Sequence, residues 1–560
     1  MRLSPSTIAI VRTAAFAFAV LALLLSTLGR QYGLVKFAPG GSSFDTLIRP
    51  VFVAIFIVAL LVALRWEIAG GLIAVFAAGG LVAFASQQLR TGSAVLVILS
   101  FAIPGILWFI IDAHALSARR AALAVVGALA ATAGGFLIGN FAYNFTWGPT
   151  HPSSVVQQLP DSPVLWVWSG NVDAESASVR AKARADFTTA ELLVSTSKDL
   201  TSPRVVKFSD RAGKVVGFDI GNLESGTKYH YAVRFDDVVD EIRSGEFETF
   251  PTGPSSFRVV FGACARVGSN AMVFDAIRQR DPLLYMVLGD FHYGDNDVDN
   301  VDDYRDVLDL TLTQPGQAAL YRSSPIAYVW DDHDFGANDS NATSVARAAA
   351  MASYREYVPS YELAGTSSAV FQAFTIGRVR FIMTDARSAR DEQSKDDNAD
   401  KSMLGVQQKE WLLDELSESA DSHELVVWIN PVPWIAEASV GGDNWGGYTT
   451  ERAEIANFIA SNRIENLLMI SGDAHMVAID DGTNTNYSNR GGTGFPLLHA
   501  AALDRPASVK GGPYSEGAIG GSGQYGMLDV QDDGDELTVT ISAHSWENDE
   551  LMSLRFTVDQ

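Results

Sequence analysis

Five apolar segments crowd the front of this chain: about Ile8–Leu28, Leu47–Leu64, Ile68–Ser86, Ala94–Ile111 and Ala121–Tyr143. Each has roughly the 17–25 residues a helix needs to cross a hydrocarbon core. Their connections are short and polar. A secretory leader would supply one such segment ahead of a soluble domain. Five in series predict an all-α transmembrane region over residues 1–145. The spans hold no set of charged residues that would suggest a transport path, so the region reads as an anchor.

Charge divides at the same place. Residues 1–150 hold nine Lys/Arg and three Asp/Glu, and the remainder holds 32 and 62. A strongly acidic body argues against a nucleic-acid-binding surface, which wants a basic stripe. It would also repel an anionic substrate unless bound metals inverted the local field. Basic residues beside the spans orient the front. Arg2, Arg12, Arg65, Arg119 and Arg120 fall on the N-terminal side, against Arg30, Lys36, Arg49 and Arg90 on the other. The local signal is Arg119-Arg120 before the fifth span, with no Lys or Arg from Phe145 to Gln158. With the N-terminus inside, five spans place the body outside the cytoplasm, as a multi-pass protein of the cell membrane.

Residues 146–163, rich in Pro, Ser and Thr, read as a linker. Short alternating runs follow: Leu165–Ser169, Ser176–Ala183, Ala190–Ser195, Val205–Phe208, Val215–Ile220, Lys228–Phe235 and Gly245–Phe250. Turn residues separate them every eight to twelve positions or so, which predicts a β-sandwich over 164–253. The stretch from Leu223 to Tyr231 resembles the corner of fibronectin type III domains, where a Tyr hydroxyl ties a strand to the preceding turn. No ligand-type cluster occurs there, so the segment reads as a spacer or packing module.

From Ser256 onward, apolar strand candidates alternate with helical segments, as in layered α/β folds. The strands are Phe257–Phe261, Leu284–Leu288, Ile326–Trp330, Val379–Thr384, Glu424–Ile429 and Asn466–Ser471. A buried strand delivers side chains to a site at its C-terminal end, and four of these ends carry ligand-type residues. The first is Cys264, the one cysteine of the chain, which excludes an intrachain disulfide. The second is Asp290 with Tyr293. The third is Asp331-Asp332-His333-Asp334, then Asn338-Asp339. The fourth is Asp473 and His475 in Ser471-Gly-Asp-Ala-His475. The first two runs with the helix between them make one βαβ unit, so Cys264 and Asp290 should lie side by side.

Such convergence points to a metal centre. Carboxylate and amide oxygens suit Ca2+, Mg2+ or Mn2+. Tyr and Cys beside a carboxylate suit Fe3+, with Zn2+ as the alternative for a Cys/Asp/His set. Two or more cations sharing a carboxylate form the clamp used for displacement at phosphorus.

The stretches FGACAR, LGDFHYGD, VWDDHDFGAND, TDARSAR, LGVQQKEWL and SGDAH give the body its resemblance to the PhoD-type alkaline phosphatases and phosphodiesterases. These are a branch of the calcineurin-like metallophosphoesterases related to purple acid phosphatases. The resemblance covers about Val164 to Gln560 and leaves the membrane front outside. It implies an α/β/β/α metallophosphoesterase domain over 254–560. It implies hydrolysis of phosphate mono- or diesters by metal-activated hydroxide. It also implies roles: Asp290 bridging the metals; Cys264, Tyr293 and His475 completing an iron(III) site; Asp332, Asn338 and Asp473 holding calcium-type ions. His333 and Arg387 would bind phosphate and stabilise charge on the transferring group. Asp331 and Asp334 could equally support the ligands from behind, and His292 has no assigned role.

Two departures bear on this. Ala263-Cys264 stands where most calcineurin-like enzymes open with Asp-x-His, which disfavours an ordinary two-metal zinc or manganese site. Leu537 to Val558 reads as two strands with no terminal helix to lid the site. A more open site would favour larger diesters, with Gly-rich Gly511–Gly526 as a flap. A phospholipase D-like or wall-polymer phosphodiesterase is the alternative enzyme. A membrane sensor built on a decayed phosphatase body is the alternative from another class. The partners expected are a phosphate-ester substrate and the lipid bilayer, with no protein partner predicted.

Overall fold

The computed structural model describes residues 4–28, 49–88, 91–113, 117–147, 153, 155–365, 368–500 and 502–558. They form two compact units, Met1–Gly148 and Pro149–Gln560.

The front unit has helices α1 (Pro5–Leu28), α2 (Arg49–Ala63), α3 (Glu67–Gln88), α4 (Thr91–Ala113) and α5 (Ala118–Trp147), one for each expected segment. Among the described residues, two stretches are long and apolar enough to cross a membrane, Pro5–Leu24 and Ala118–Ala142. The apolar stretches Val53–Ala63, Glu67–Val82 and Val95–Ile111 are shorter. Small residues set the packing. A Cβ on Gly79 would strike the Thr132 backbone, and one on Gly135 would strike that of Phe76. Helix backbones approach this closely only across glycine or alanine faces. Arg12 lies on α1 and donates from Nε to Glu67 at 2.5 Å. Of the residues used to orient the front, Arg2, Arg30, Lys36 and Arg90 lie outside the described residues.

The second unit opens with nine strands. They are β1 (Val164–Gly170), β2 (Ala177–Ala183), β3 (Ala190–Ser195), β4 (Arg204–Lys207), β5 (Asp210–Ala212), β6 (Val215–Ile220), β7 (Lys228–Phe235), β8 (Val238–Val239) and β9 (Gly245–Glu248). All seven expected strands are present, with β5 and β8 added. Strands β1, β2, β6 and β5 pair in that order, and β4, β3 and β7 form a second sheet with β8 and β9 both on β7. Inward residues of both sheets, among them Val179, Phe218, Leu192, Tyr231 and Val233, share one core. The Tyr229 hydroxyl accepts the Glu224 amide at 2.9 Å, the tie expected from the corner motif.

The sheet does not stop at residue 253. Strand β1 pairs in parallel with a later strand, β12 (Ile326–Val329), at Gly170 and Ile326. Through it the β1-β2-β6-β5 sheet becomes the end of a ten-stranded sheet. The other members are β10 (Phe257–Gly262), β11 (Leu284–Leu288), β20 (Gln524–Asp532), β21 (Leu537–Ser545) and β22 (Glu550–Val558). Helices α6 (Met272–Gln279), α7 (Val301–Leu312) and α8 (Pro315–Ser323) connect β10, β11 and β12, which run parallel.

The remaining elements are α9 (Asp332–Phe335), α10 (Arg347–Tyr357), β13 (Gln372–Ile376), β14 (Val379–Met383), α11 (Gly405–Ser422), β15 (Leu425–Asn430), α12 (Thr449–Ser461), β16 (Leu467–Ser471), β17 (Met476–Asp480), β18 (Leu497–His499) and β19 (Ala518–Gly520). They build a seven-stranded sheet ordered β13-β14-β15-β16-β18-β17-β19, with β14, β15, β16 and β18 parallel.

Alternation along its strands explains the layers. Phe381, Val427, Ile429, Leu468 and Ile470 face the core shared with the first sheet. Ile382, Val426, Trp428, Leu467 and Met469 face Leu412 and Leu416 of α11 and Ile455 and Ile459 of α12. A strand covered on both faces needs an apolar residue at every position, and β15 reads Leu-Val-Val-Trp-Ile. The Gly-rich stretch expected as a flap is partly built into this sheet. Strand β19 pairs with β17, and Gly512 donates to the Ile435 carbonyl at 3.0 Å.

The Tyr229 tie is a checkable element. Tyr229→Phe should cost about 1 kcal/mol in chemical denaturation of the full chain. An unchanged midpoint would mean that the hydroxyl contributes nothing to the corner.

Candidate metal centre

Two parallel strand sets end at one place. From the first sheet, β10 leads to Cys264, β11 to Asp290, and β12 to Asp331 and Asp332. From the second, β16 leads to Asp473 and His475, and β14 to Arg387. At three of these ends the backbone turns through the left-handed region: Cys264 (φ 61°), Asp290 (φ 50°) and Asp473 (φ 70°). Aspartate tolerates that region better than most residues. A cysteine there costs about 1–2 kcal/mol, which the packing around it must offset. Gly289 (φ 92°) has no such freedom to change, because a Cβ there would run into Asp331.

The ligand-type atoms of Cys264, Asp290 and His475 lie within 4.8 Å of one another, and so do those of Asp290, Asp332 and His333. Asp331, Asp332 and Asp473 form a third such group, and Asp332, Asp339 and Asp443 a fourth. Asp290 and Asp332 each belong to more than one group, as ligands shared between neighbouring cations would. The Cys264 Sγ is 3.4 Å from Asp290 Oδ2, so the two expected neighbours do lie side by side. Tyr293 reaches the same corner, its hydroxyl 2.8 Å from His475 Nε2. His475 Nδ1 lies 2.8 Å from the Pro506 carbonyl and must donate to it. That fixes Nε2 as the lone-pair nitrogen facing the cluster.

His333 stacks on Tyr293, with ring centroids 3.9 Å apart, and pairs through Nδ1 with Asp295. Arg387 is fully buried and spends its donors on carboxylates. Its Nε meets Asp331, and Nη1 and Nη2 meet the two oxygens of Asp443 at 2.9 Å each. Arg390 adds a contact to Asp443 at 2.7 Å. Asn338 is exposed and makes no hydrogen bond to the cluster among the described residues. Its neighbour Asp339 donates its amide to Asp332 Oδ2 at 2.6 Å. Asp334 works from behind. It accepts the amides of Phe291 and Asp331 at 3.2 Å and of His292 at 3.1 Å, binding the β11 and β12 loops together. The His292 ring is buried and held neutral, with its pKa lowered to about 3.

Sequence reasoning did not single out Asp443, Lys510 or Arg505. Asp443 follows Gly441-Gly442 in the long loop after β15, 13 residues past the strand end, where no apolar run marks it. Lys510 grips Asp473 at 2.9 and 3.1 Å. The Arg505 guanidinium carbon lies 4.1 Å from the centre of the Tyr293 ring. Both sit on the 502–512 loop, whose sequence carries no motif.

Burial governs the electrostatics. It raises the Asp290 carboxyl to about 7, against His333, which favours the charged form, and with help from Asp332 and Asp473. Burial also lifts the Cys264 thiol and the Tyr293 phenol well above their usual ranges, and Asp290 adds to both. Burial opposes charge on Asp332 too, but Arg387 and His333 hold it below the ordinary carboxylate value. His333 is opposed by burial yet pushed upward by Asp295, Asp332 and Asp290, which favour its charged form.

The residues fit cations. Asp290 Oδ1, Asp332 Oδ1 and Asp331 Oδ2 are buried without a hydrogen-bond partner among the described residues. Orphaned, converging carboxylate oxygens call for a cation to complete them.

A pH prediction follows. Asp290 binds a proton in the metal-free fold up to about pH 7, whereas an unfolded aspartate loses it near 3.8. Its raised value stabilises the metal-free fold fully below the unfolded value, and that contribution is lost as pH rises through 7. A cation must displace this proton, so binding tightens in the opposite direction. Calorimetric titration of chelator-treated protein with Mn2+ or Ca2+ should show proton release, and affinity rising about tenfold from pH 6 to pH 8. A flat affinity would remove Asp290 from the ligand set.

Residues 259–497 match the family model for PhoD-like phosphatase. Alkaline phosphatase D of Bacillus subtilis (strain 168) is 28% identical over 202 residues, covering 31% of this chain and 35% of that protein. The match thus spans about a third of the curated relative's length. Among solved structures, one of PhoD covers 72% of this chain and 94% of its own, with TM-score 0.55 and 16% identity. A purple acid phosphatase, PPD1 from yellow lupin (Lupinus luteus) seeds, covers 71% and 75%, with TM-score 0.50 and 11% identity. At those identities the structures speak for the fold. The family match makes residues 259–497 similar to the PhoD-like phosphatases.

Proposed function

We propose that this chain is a membrane-anchored, metal-dependent phosphoric ester hydrolase whose body lies outside the cytoplasm. The observation that carries the hydrolase reading is the meeting of Cys264, Asp290, Tyr293, Asp332, Asp473 and His475 at converging strand ends of two sheets. Cys264, Tyr293, His475 and Asp290 would hold the harder-to-reduce Fe3+ type of ion. Asp290, Asp332 and Asp473, with Asp339 or Asn338, would hold Ca2+-type ions. Zn2+, Mn2+ or Mg2+ are the alternatives in these places. Bound cations would polarise the phosphoryl oxygens and activate water for attack at phosphorus.

The chain's own groups supply the rest. His333, kept protonated by Asp295, offers Nε2 as a hydrogen-bond donor to a phosphoryl oxygen or the leaving oxygen. Arg387 holds Asp331 and Asp443 in place and thereby sets the carboxylate wall. In the front, the apolar helices α1 and α5 support anchoring in a bilayer. Anchoring beside lipid favours a second reading, a phospholipase D-like or wall-polymer phosphodiesterase. Comparing monoester with diester turnover separates the two. The sandwich of β1–β9, with its tied Tyr229 corner, is proposed as a fibronectin III-like module.

Elemental analysis and turnover of aryl phosphates by the full chain in detergent test the reading. Chelation should abolish turnover, and added metal should restore it. Asp290→Ala should lose metal together with about a thousandfold in rate. Asp334→Ala should instead cost about 2 kcal/mol of stability through three unmet amides, with metal retained. Full activity in the metal-free protein would sink the proposal.

A further inference from the structure

The loop 502–512, between β18 and β19, is stitched to the strand ends that carry the candidate ligands. The Leu503 amide donates to the Ala263 carbonyl and the Ser508 amide to the His475 carbonyl, each at 3.0 Å. Asp504 Oδ1 accepts the Arg266 amide at 2.5 Å. The loop therefore holds its two cationic side chains, Arg505 and Lys510, beside the cluster.

Arg505 is the less explicable of the two on structural grounds. It is only 9% exposed, and its Nε and Nη1 are buried without a hydrogen-bond partner among the described residues. Its contact with the Tyr293 ring returns about 0.5–2 kcal/mol. Burying guanidinium donors without acceptors costs more than that. Leucine or methionine would cover Tyr293 without the cost. The charge itself is therefore what the position uses, and it faces the corner where Tyr293 meets His475.

Arg387 has its donors committed to Asp331 and Asp443, so an anion entering the site needs another fork. Lys510 is held at Asp473, a carboxylate of a candidate cation group. A cation bound there competes for Asp473 and frees the ammonium. Once cations neutralise the carboxylates, Arg505 and Lys510 carry surplus positive charge. Guanidinium forks match phosphate oxygens in pairs, and an ammonium adds a point charge.

We infer that Arg505, seconded by Lys510, binds the phosphate group of the substrate. This inference rests on the phosphohydrolase reading. The test is calorimetric binding of inorganic phosphate to the metal-loaded full chain in detergent, with KM, kcat, metal content and thermal unfolding measured alongside. Arg505→Ala should weaken phosphate binding and raise KM by at least about tenfold, with a smaller change in kcat and metal retained. Arg505→Lys, which keeps the charge without the fork, should fall between. Lys510→Met should weaken binding severalfold. If Arg505→Ala fails to fold, Arg505→Lys decides. Wild-type phosphate affinity in Arg505→Lys, or loss of metal in a folded Arg505→Ala, would overturn the inference while leaving wild-type hydrolysis intact. Metal-loaded wild type that neither binds phosphate nor hydrolyses any ester would instead bring down the phosphohydrolase reading itself.

Discussion

Buried like charge is the constraint on which the body depends. Asp290, Asp331, Asp332 and Asp473 converge from two sheets with oxygens a few ångströms apart, within 4.8 Å in the groups they share. Two carboxylates at that distance repel by about 3 kcal/mol at an effective dielectric of roughly 20. The chain offsets part of this with Arg387, Lys510 and His333, whose charged form Asp295 favours. Protons on Asp290, Cys264 and Tyr293 remove more. What remains falls on the buried oxygens of Asp290, Asp331 and Asp332 that have no hydrogen-bond partner among the described residues.

The two ends of the cluster differ in chemistry. One end gathers a thiol, a phenol and an imidazole; the other is nearly all carboxylate. Asp290 sits at the border and belongs to both. Both sheets contribute to each end, His475 joining Cys264 and Tyr293 at one and Asp473 joining Asp331 and Asp332 at the other, so the spacing of the ligands is set by how the two sheets pack through Phe381, Val427, Leu288 and Ile470. Core residues far from the chemistry thereby fix the separation of the ligands.

Much of this was legible in the sequence. The strands that lead to Asp290, Asp332 and Asp473 are continuous apolar runs, because both faces of each are covered, and the one that leads to Cys264 departs from that only at Arg258. Two of their ends are marked by Gly-Asp pairs, Gly289-Asp290 and Gly472-Asp473, that suit a left-handed turn. The sandwich was legible from period-two alternation. The fate of Arg387 was not. Its position after β14 could be read, but its commitment to Asp443 depends on a loop from β15 that lies 56 residues further along the chain. Arg505 and Lys510 were hidden for the same reason. The loop that bears them is placed by backbone bonds to residues 263 and 475, and no local pattern announces such bonds. The continuation of the sandwich sheet through β12 was equally invisible, since register between distant strands leaves no periodic trace.

That continuation has a consequence for how the protein can change over evolutionary time. Trp168 of β1 stacks on Phe291, the residue after Asp290, with ring centroids 5.7 Å apart, and its indole donates to the Tyr357 carbonyl at 3.0 Å. Trp166 and Lys182 both reach Asp309 of α7. A module joined by a flexible tether can be swapped, duplicated or lost without damage to its neighbour. This one cannot. A different sandwich would have to reproduce two tryptophans, a parallel register and a lysine in step with the body. A change in β1 is thus felt at the loop that carries Asp290.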